Sequence, residues 1–137
     1  MPKTGSSDAV AVRKRVFDSY KAWNLLDMER LAPFYSKRPG NVIFNDVEPV
    51  KFEGWEEFKE AEAKIMAKVS TWKVEPNDVR VTIWGNVAVS TATPILTGKS
   101  KAGKSYNLTI RHTAVWERKG KRWLIIHEHW SIPWPSS

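Results

Sequence analysis

All three histidines of this 137-residue chain fall on two neighbouring runs near its end, Leu108–Trp116 and Trp123–Pro133. Imidazole is the side chain best suited to moving protons near neutral pH, and it also ligates metals. His127 and His129 are two residues apart. On a strand that spacing puts both rings on one face, where they could chelate zinc or copper if a third ligand were supplied. Glu128 lies between them, in the middle of an apolar run. A buried carboxylate there costs several kcal/mol without a partner. This part of the chain therefore covers a polar cavity or sits at a wet interface. His112, on the preceding run, and Arg111 beside it are candidate partners for that acid.

These groups need a scaffold. Trp123–Pro133 has no glycine, is apolar and aromatic at its start, and stops at Pro133, as expected of a strand buried on both faces. Strict alternation groups Trp123, Ile125, His127, His129 and Ser131 on one face, and Leu124, Ile126, Glu128 and Trp130 on the other. The charged turn Arg118–Arg122 joins it to Leu108–Trp116 as a long β-hairpin. Upstream, Asp8 is placed to cap a helix running to about Leu26, with Val12, Val16, Tyr20 and Trp23 on one stripe. Asp27 caps a short helix, Met28–Tyr35. Val42–Phe44 reads as a short strand ending near Asp46. Val47–Glu53 reads as a loop, and Trp55–Val69 as a third helix. Period-two alternation then begins, with strands at Thr71–Val74, Asp78–Trp84 and Val87–Leu96, followed by a loop over Thr97–Lys104. Helices first and antiparallel strands later define an α+β domain. A long curved sheet over three N-terminal helices makes a cone, whose mouth is the default ligand site. Residues 1–7 read as a disordered start and 8–137 as a single domain.

Composition sets limits. With no cysteine, disulfides and thiolate metal sites are excluded. Eight tryptophans favour an aromatic-lined interior or subunit interface. No signal peptide and no apolar run of about 20 residues is visible, so a cytoplasmic location is expected, with no membrane partner. The net charge of +7 comes from scattered lysines and arginines. They read as a solvated basic surface, and nucleic-acid binding is not expected.

With the elements placed, the chain resembles the SnoaL-like branch of the NTF2-like superfamily, which includes ketosteroid isomerase, polyketide cyclases and the association domain of calcium/calmodulin-dependent kinase II. The resemblance runs from about Asp8 to Pro133. It is carried by Tyr20-Lys21-Ala22-Trp23 with Asp27, by Phe44-Asn45-Asp46 with Phe52-Glu53-Gly54-Trp55, and by Trp84-Gly85-Asn86-Val87-Ala88. Arg111–Trp116 and the run Trp123–Ser131 complete it. The NTF2-like cone is the fold it implies.

The resemblance also implies roles. Asp46, or its neighbour Asn45, corresponds to the isomerase's general base. His112 falls where the isomerase has an oxyanion-donating acid, one kept neutral by its apolar site; that isomerase is the standard illustration of the effect. Tyr20 lies near the family's oxyanion tyrosine. Trp130 matches a pocket aromatic, with Trp23 and Glu128 also turned inward. Asp46 and His112 are thus the candidate catalytic residues, and Tyr20, Trp23, Glu128 and Trp130 the candidate substrate contacts. Alternation and resemblance together put His112 on the face opposite His127 and His129, so no metal site is expected. The two outer histidines are assigned to the sheet face through which the superfamily often dimerises. Trp130 and Ala114 stand where the kinase association domain carries arginines, which favours a flat, apolar ligand. Two readings follow. One is a small-molecule-binding protein that acts, without a cofactor, as an acid/base isomerase, cyclase, dehydratase or hydrolase on an apolar or aromatic substrate. The alternative is a non-catalytic ligand-binding or oligomerisation module. A homodimer is expected in either case.

Overall fold

The computed structural model describes residues 6–136, so Met1–Gly5 of the expected disordered start lie outside the described residues. Helix α1 (Ser7–Trp23) begins slightly earlier than Asp8 suggests. Ser6 is its N-cap, and Ser6 Oγ accepts from the Ala9 amide at 3.2 Å. Val12, Val16, Tyr20 and Trp23 form the buried stripe. The helix ends at Trp23 rather than Leu26, whose φ of +54° is incompatible with continuing it. Asp27 caps α2 (Met28–Leu31) by accepting from the Glu29 amide at 3.0 Å. A 3₁₀ turn over Ala32–Phe34 follows. Helix α3 (Trp55–Met66) starts after Gly54, whose φ of +88° suits glycine alone. It stops short of the expected Val69. No helix among the described residues is long and apolar enough to cross a membrane.

Nine strands follow the chain: β1 (Val42–Phe44), β2 (Phe52–Glu53), β3 (Val69–Glu75), β4 (Arg80–Trp84), β5 (Val87–Ala92), β6 (Ile95–Ser100), β7 (Ser105–Thr109), β8 (Arg111–Lys119) and β9 (Arg122–Ser131). They form a six-stranded sheet in the order β2-β1-β9-β8-β5-β4 and a three-stranded sheet in the order β3-β6-β7. Among these pairings only β1 with β9 is parallel. Helices packed on a mainly antiparallel sheet give the expected α+β cone.

The expected loops Val47–Glu53 and Thr97–Lys104 hold β2 and the end of β6. Three further departures each have a physical reason. The run Val87–Leu96 is not one strand. Buried Pro94 cannot donate to a ladder, and the chain passes there from the large sheet to the small one. Likewise Leu108–Trp116 divides at Ile110, whose amide donates to the Pro94 carbonyl at 2.9 Å. The two breaks face each other and form the corner over which the small sheet folds. Gly98 permits that sheet's close packing, because a Cβ there would lie 2.4 Å from the Thr71 carbonyl oxygen.

The third departure is a β-bulge in β9. His127 pairs with Val115 but Ile125 pairs with Trp116, leaving Ile126 as the extra residue. One inserted residue exchanges the faces. Trp123 and Ile125 are therefore buried, as are Glu128 and Trp130, and do not share a face with the histidines. His127 and His129 are on the outer face, each edge-on to the Phe44 ring, at 5.5 and 5.2 Å. His127 Nδ1 donates to the Val42 carbonyl at 2.7 Å.

Candidate functional site: an acid-lined cavity backed by a buried relay

The parallel pairing of β1 with β9 sets Ile43 opposite Glu128 and Phe44 opposite His129. The chain leaving β1 therefore carries Asn45 and Asp46 past Trp130. Across from them, the α3 stripe Trp55, Phe58, Glu62 and Met66 turns Glu62 inward. The small sheet closes the other side. Between these walls lies a cavity of about 260 Å³. Trp23, Trp72, Trp130, Val74, Leu96, Leu108 and Ile110 make it mostly apolar, and its acids are Asp46 and Glu62. Two larger hollows, of about 410 and 430 Å³, lie on the outer surface beside α2–α3 and beside α1–β4, where Asp27, Glu29, Arg13 and Arg80 are exposed to water.

Asn45 joins the two cavity acids. Its Nδ2 donates to Glu62 Oε1, and its Oδ1 accepts from the Asp46 amide at 2.9 Å. Burial disfavours ionisation of both carboxyls. It raises Asp46 above the ordinary carboxylate range, against the hydrogen bond from its own amide. Burial first, and the Asp46 charge second, lift Glu62 from 4.5 to about 7, against the Asn45 hydrogen bond. A carboxyl near 7 can give or take a proton at neutral pH.

Behind Trp130 is a second polar group of different character. The His112 ring stacks on the Trp130 indole, with centroids 3.7 Å apart and planes 13° apart. His112 Nε2 is 2.7 Å from Glu128 Oε2, and His112 Nδ1 is 2.7 Å from Tyr20 Oη. The Tyr35 hydroxyl donates to Glu128 Oε1. Burial, and then the Glu128 charge, push both phenols well above their ordinary range, so both keep their protons. One proton arrangement gives every donor in this chain an acceptor. Tyr20 O–H donates to Nδ1 of a neutral imidazole, Nε2–H donates to the Glu128 carboxylate, and Tyr35 supplies that carboxylate's second bond.

The sequence-derived candidates thus occupy two layers. Asp46, Trp23 and Trp130 line the cavity. His112, Tyr20 and Glu128 are buried behind Trp130 and are not part of the lining, so the structure does not bring Asp46 and His112 together across one open space. Glu128 has the His112 partner that its burial demands. Glu62, Trp72 and Tyr35 were not singled out from the sequence. Glu62 had a usable signal, since it lies four residues from both Phe58 and Met66 on the stripe of α3. Among the described residues, no group of three or more His, Asp or Glu side chains is placed to hold a metal.

Comparison with known proteins finds a family and a fold for the chain. The chain belongs to the SnoaL-like family: the profile of the SnoaL-like domain matches residues 12–135. Solved structures agree on the fold. An NTF2-like superfamily protein from Salmonella enterica serovar Typhimurium superposes with a TM-score of 0.84 at 17% identity, over 96% of this chain and 96% of that one. A Streptomyces avermitilis protein of the NTF2-like family, provisionally named a dehydratase, gives 0.81 at 22% identity, over 94% and 98%. The CamKII hub homology domain from Chlamydamonas reinhardtii gives 0.71 at 20% identity, over 93% and 100%. No curated protein sequence matches the chain.

Proposed function

We propose that the protein binds an apolar, ring-containing small molecule in the cavity and acts on it by acid/base chemistry using its own carboxyls. The observation that carries this reading is the pair Asp46 and Glu62, both shifted toward the neutral form by burial, on the wall of an apolar cavity between three tryptophans. Perturbed acids that converge on a cavity mark a site for proton transfer. Asp46 takes a proton from carbon or oxygen, and Glu62, lifted to about 7, supplies or holds the second proton. Trp23 and Trp130 hold the ring. His112, Tyr20 and Glu128 act through Trp130 as positioning residues. Isomerisation and dehydration both fit this chemistry, and the Streptomyces neighbour's provisional name as a dehydratase is in keeping with it.

The test uses 2-tetralone, a two-ring ketone with an acidic C–H beside its carbonyl. Exchange of that hydrogen in D₂O is followed by NMR. The wild type should accelerate exchange over buffer, and Asp46→Asn should remove ~100-fold or more of the acceleration, the usual size of a general-base contribution. Exchange no faster than in buffer, or unchanged by Asp46→Asn, would reject the reading.

An assembly role has its own support. The outer face of the large sheet presents Val87, Val89, Thr113, Val115, Leu124 and Ile126, all partly exposed, beside Trp84 at 49% exposure. An apolar face of this kind fits a homodimer packed sheet to sheet. Light scattering should show a dimer that Val89→Glu with Val115→Glu converts to a monomer. A wild-type monomer would exclude it.

A further inference from the structure

The cavity mouth is bracketed by two segments, the loop 45–51 after β1 and the tail after β9. Val47 from the first and Ile132 from the second line the cavity itself. Farther out on the same segments, Val50 is 88% and Trp134 90% exposed, among the most exposed large apolar side chains of the described residues. A valine and a tryptophan held this far into water find no folding benefit there. They follow the lining residues Val47 and Ile132 by three and two positions along the chain. Across from loop 45–51 the rim carries lysines. Lys68 lines the mouth, and the Lys101 amide donates to the Lys68 carbonyl at 2.9 Å. Lys104 lies 5.7 Å over the ring of Tyr106, another lining residue. No carboxylate of the described residues pairs with Lys68, Lys101 or Lys104, whereas Lys51 is held by Glu53, and loop 45–51 carries two acids, Asp46 in the cavity wall and Glu48.

From this we infer that the cavity mouth docks on an anionic membrane surface, with Val50 and Trp134 inserted at the headgroup boundary and the rim lysines over anionic headgroups. The inference rests on the cavity being the ligand site, and it narrows the ligand to one dissolved in a bilayer. Apolar tips with unpaired lysines match such a surface in both respects. Tryptophan is favoured at the headgroup level, and lysines are drawn to anionic lipid. Docked in this way, an apolar cavity takes its ligand from the membrane without passing it through water.

The experiment is co-sedimentation with vesicles of phosphatidylcholine, with or without one third phosphatidylglycerol. The full chain should sediment with the anionic vesicles and be released by about 0.5 M sodium chloride, which screens surface charge beyond a few ångströms. Val50→Ser with Trp134→Ser should lower the bound fraction at least ~fivefold. Lys101→Gln with Lys104→Gln should abolish the preference for anionic over neutral vesicles. All four positions are exposed, so folding is not at stake. Wild-type protein that stays in the supernatant with both vesicles, or a Ser variant that sediments like wild type, overturns the inference. A Trp134→Ser variant that turns a dimer into a monomer also overturns it, by assigning the rim to a second copy. The 2-tetralone exchange, run on the same variants without vesicles, separates the two readings. Intact exchange with no vesicle binding rejects docking alone, and vesicle binding without exchange in the wild type rejects the acid/base reading alone.

Discussion

The molecule holds two groups of buried acids and their partners on either side of one indole. Glu128, behind Trp130, has a donor for each oxygen: His112 on one and the Tyr35 hydroxyl on the other. Glu62, in front of it, has Asn45 on one oxygen and faces both a cavity and a second acid. A carboxyl group with a partner on each oxygen fixes its neighbours. A half-satisfied one next to a like charge is pushed toward neutrality. The first is built to hold still, and the second to exchange protons. The distinction depends on partners rather than depth, since both residues are buried.

The largest effect should come from breaking the satisfied side. Glu128→Leu leaves the His112 Nε2–H and the Tyr35 hydroxyl buried without an acceptor. Each buried donor left without an acceptor costs about 1–3 kcal/mol, so the two together destabilise by about 2–6 kcal/mol. Urea unfolding would measure it. The double variant His112→Phe, Glu128→Leu should lose less than the two single changes summed, because one orphan donor disappears with its ring. Strict additivity would show that the relay is not a unit.

The next effect is on the cavity side and has the opposite sense. The folded-state pKa of Glu62 is raised to about 7 from 4.5. A carboxyl raised by folding favours the fold while protonated. Its contribution is therefore complete below about 4.5, is lost as pH rises toward 7, and is a constant penalty above that. The penalty is on the order of 3 kcal/mol, at 1.36 kcal/mol per unit. Glu62→Gln keeps an acceptor for Asn45 and cannot ionise, so it should be more stable than wild type at pH 8 and close to it at pH 4.5. Paired urea melts at the two pH values check this. Equal differences at both would mean that Glu62 titrates normally.

The sequence revealed these two groups unevenly. The His112–Glu128 pair was accessible because a hairpin with His112 and Glu128 on inward faces leaves the acid few other partners. Asp46 was found through its place just past a short strand in a family pattern. Glu62 was obscured because Ala61 and Ile65 describe an equally good helical stripe, and only packing decides which residue of α3 faces in. Tyr35 follows a proline-bearing turn, where no periodicity applies. The bulge at Ile126 was invisible, since in a run as apolar as Leu124–Ile126 a one-residue slip leaves the hydrophobic pattern unchanged. The corner at Pro94 was legible in principle, because a proline inside a supposed central strand argues against continuity. The three-stranded wall of the cavity depends on that corner.

The smallest effect isolates the coupling within the cavity pair. The Asp46 charge is the second cause of the Glu62 shift, after burial. Asp46→Asn removes that charge but leaves the desolvation in place. The Glu62 midpoint should therefore fall below about 7 without returning to 4.5. It can be followed through the carboxyl carbon chemical shift of ¹³C-labelled glutamate across a pH titration. Glu128→Gln removes a more distant charge, which comes last among the causes, and should move the same midpoint less. If Glu128→Gln moved it further than Asp46→Asn, the proton-exchanging unit would be Glu62 with Glu128. Trp130 would then divide one network instead of separating two.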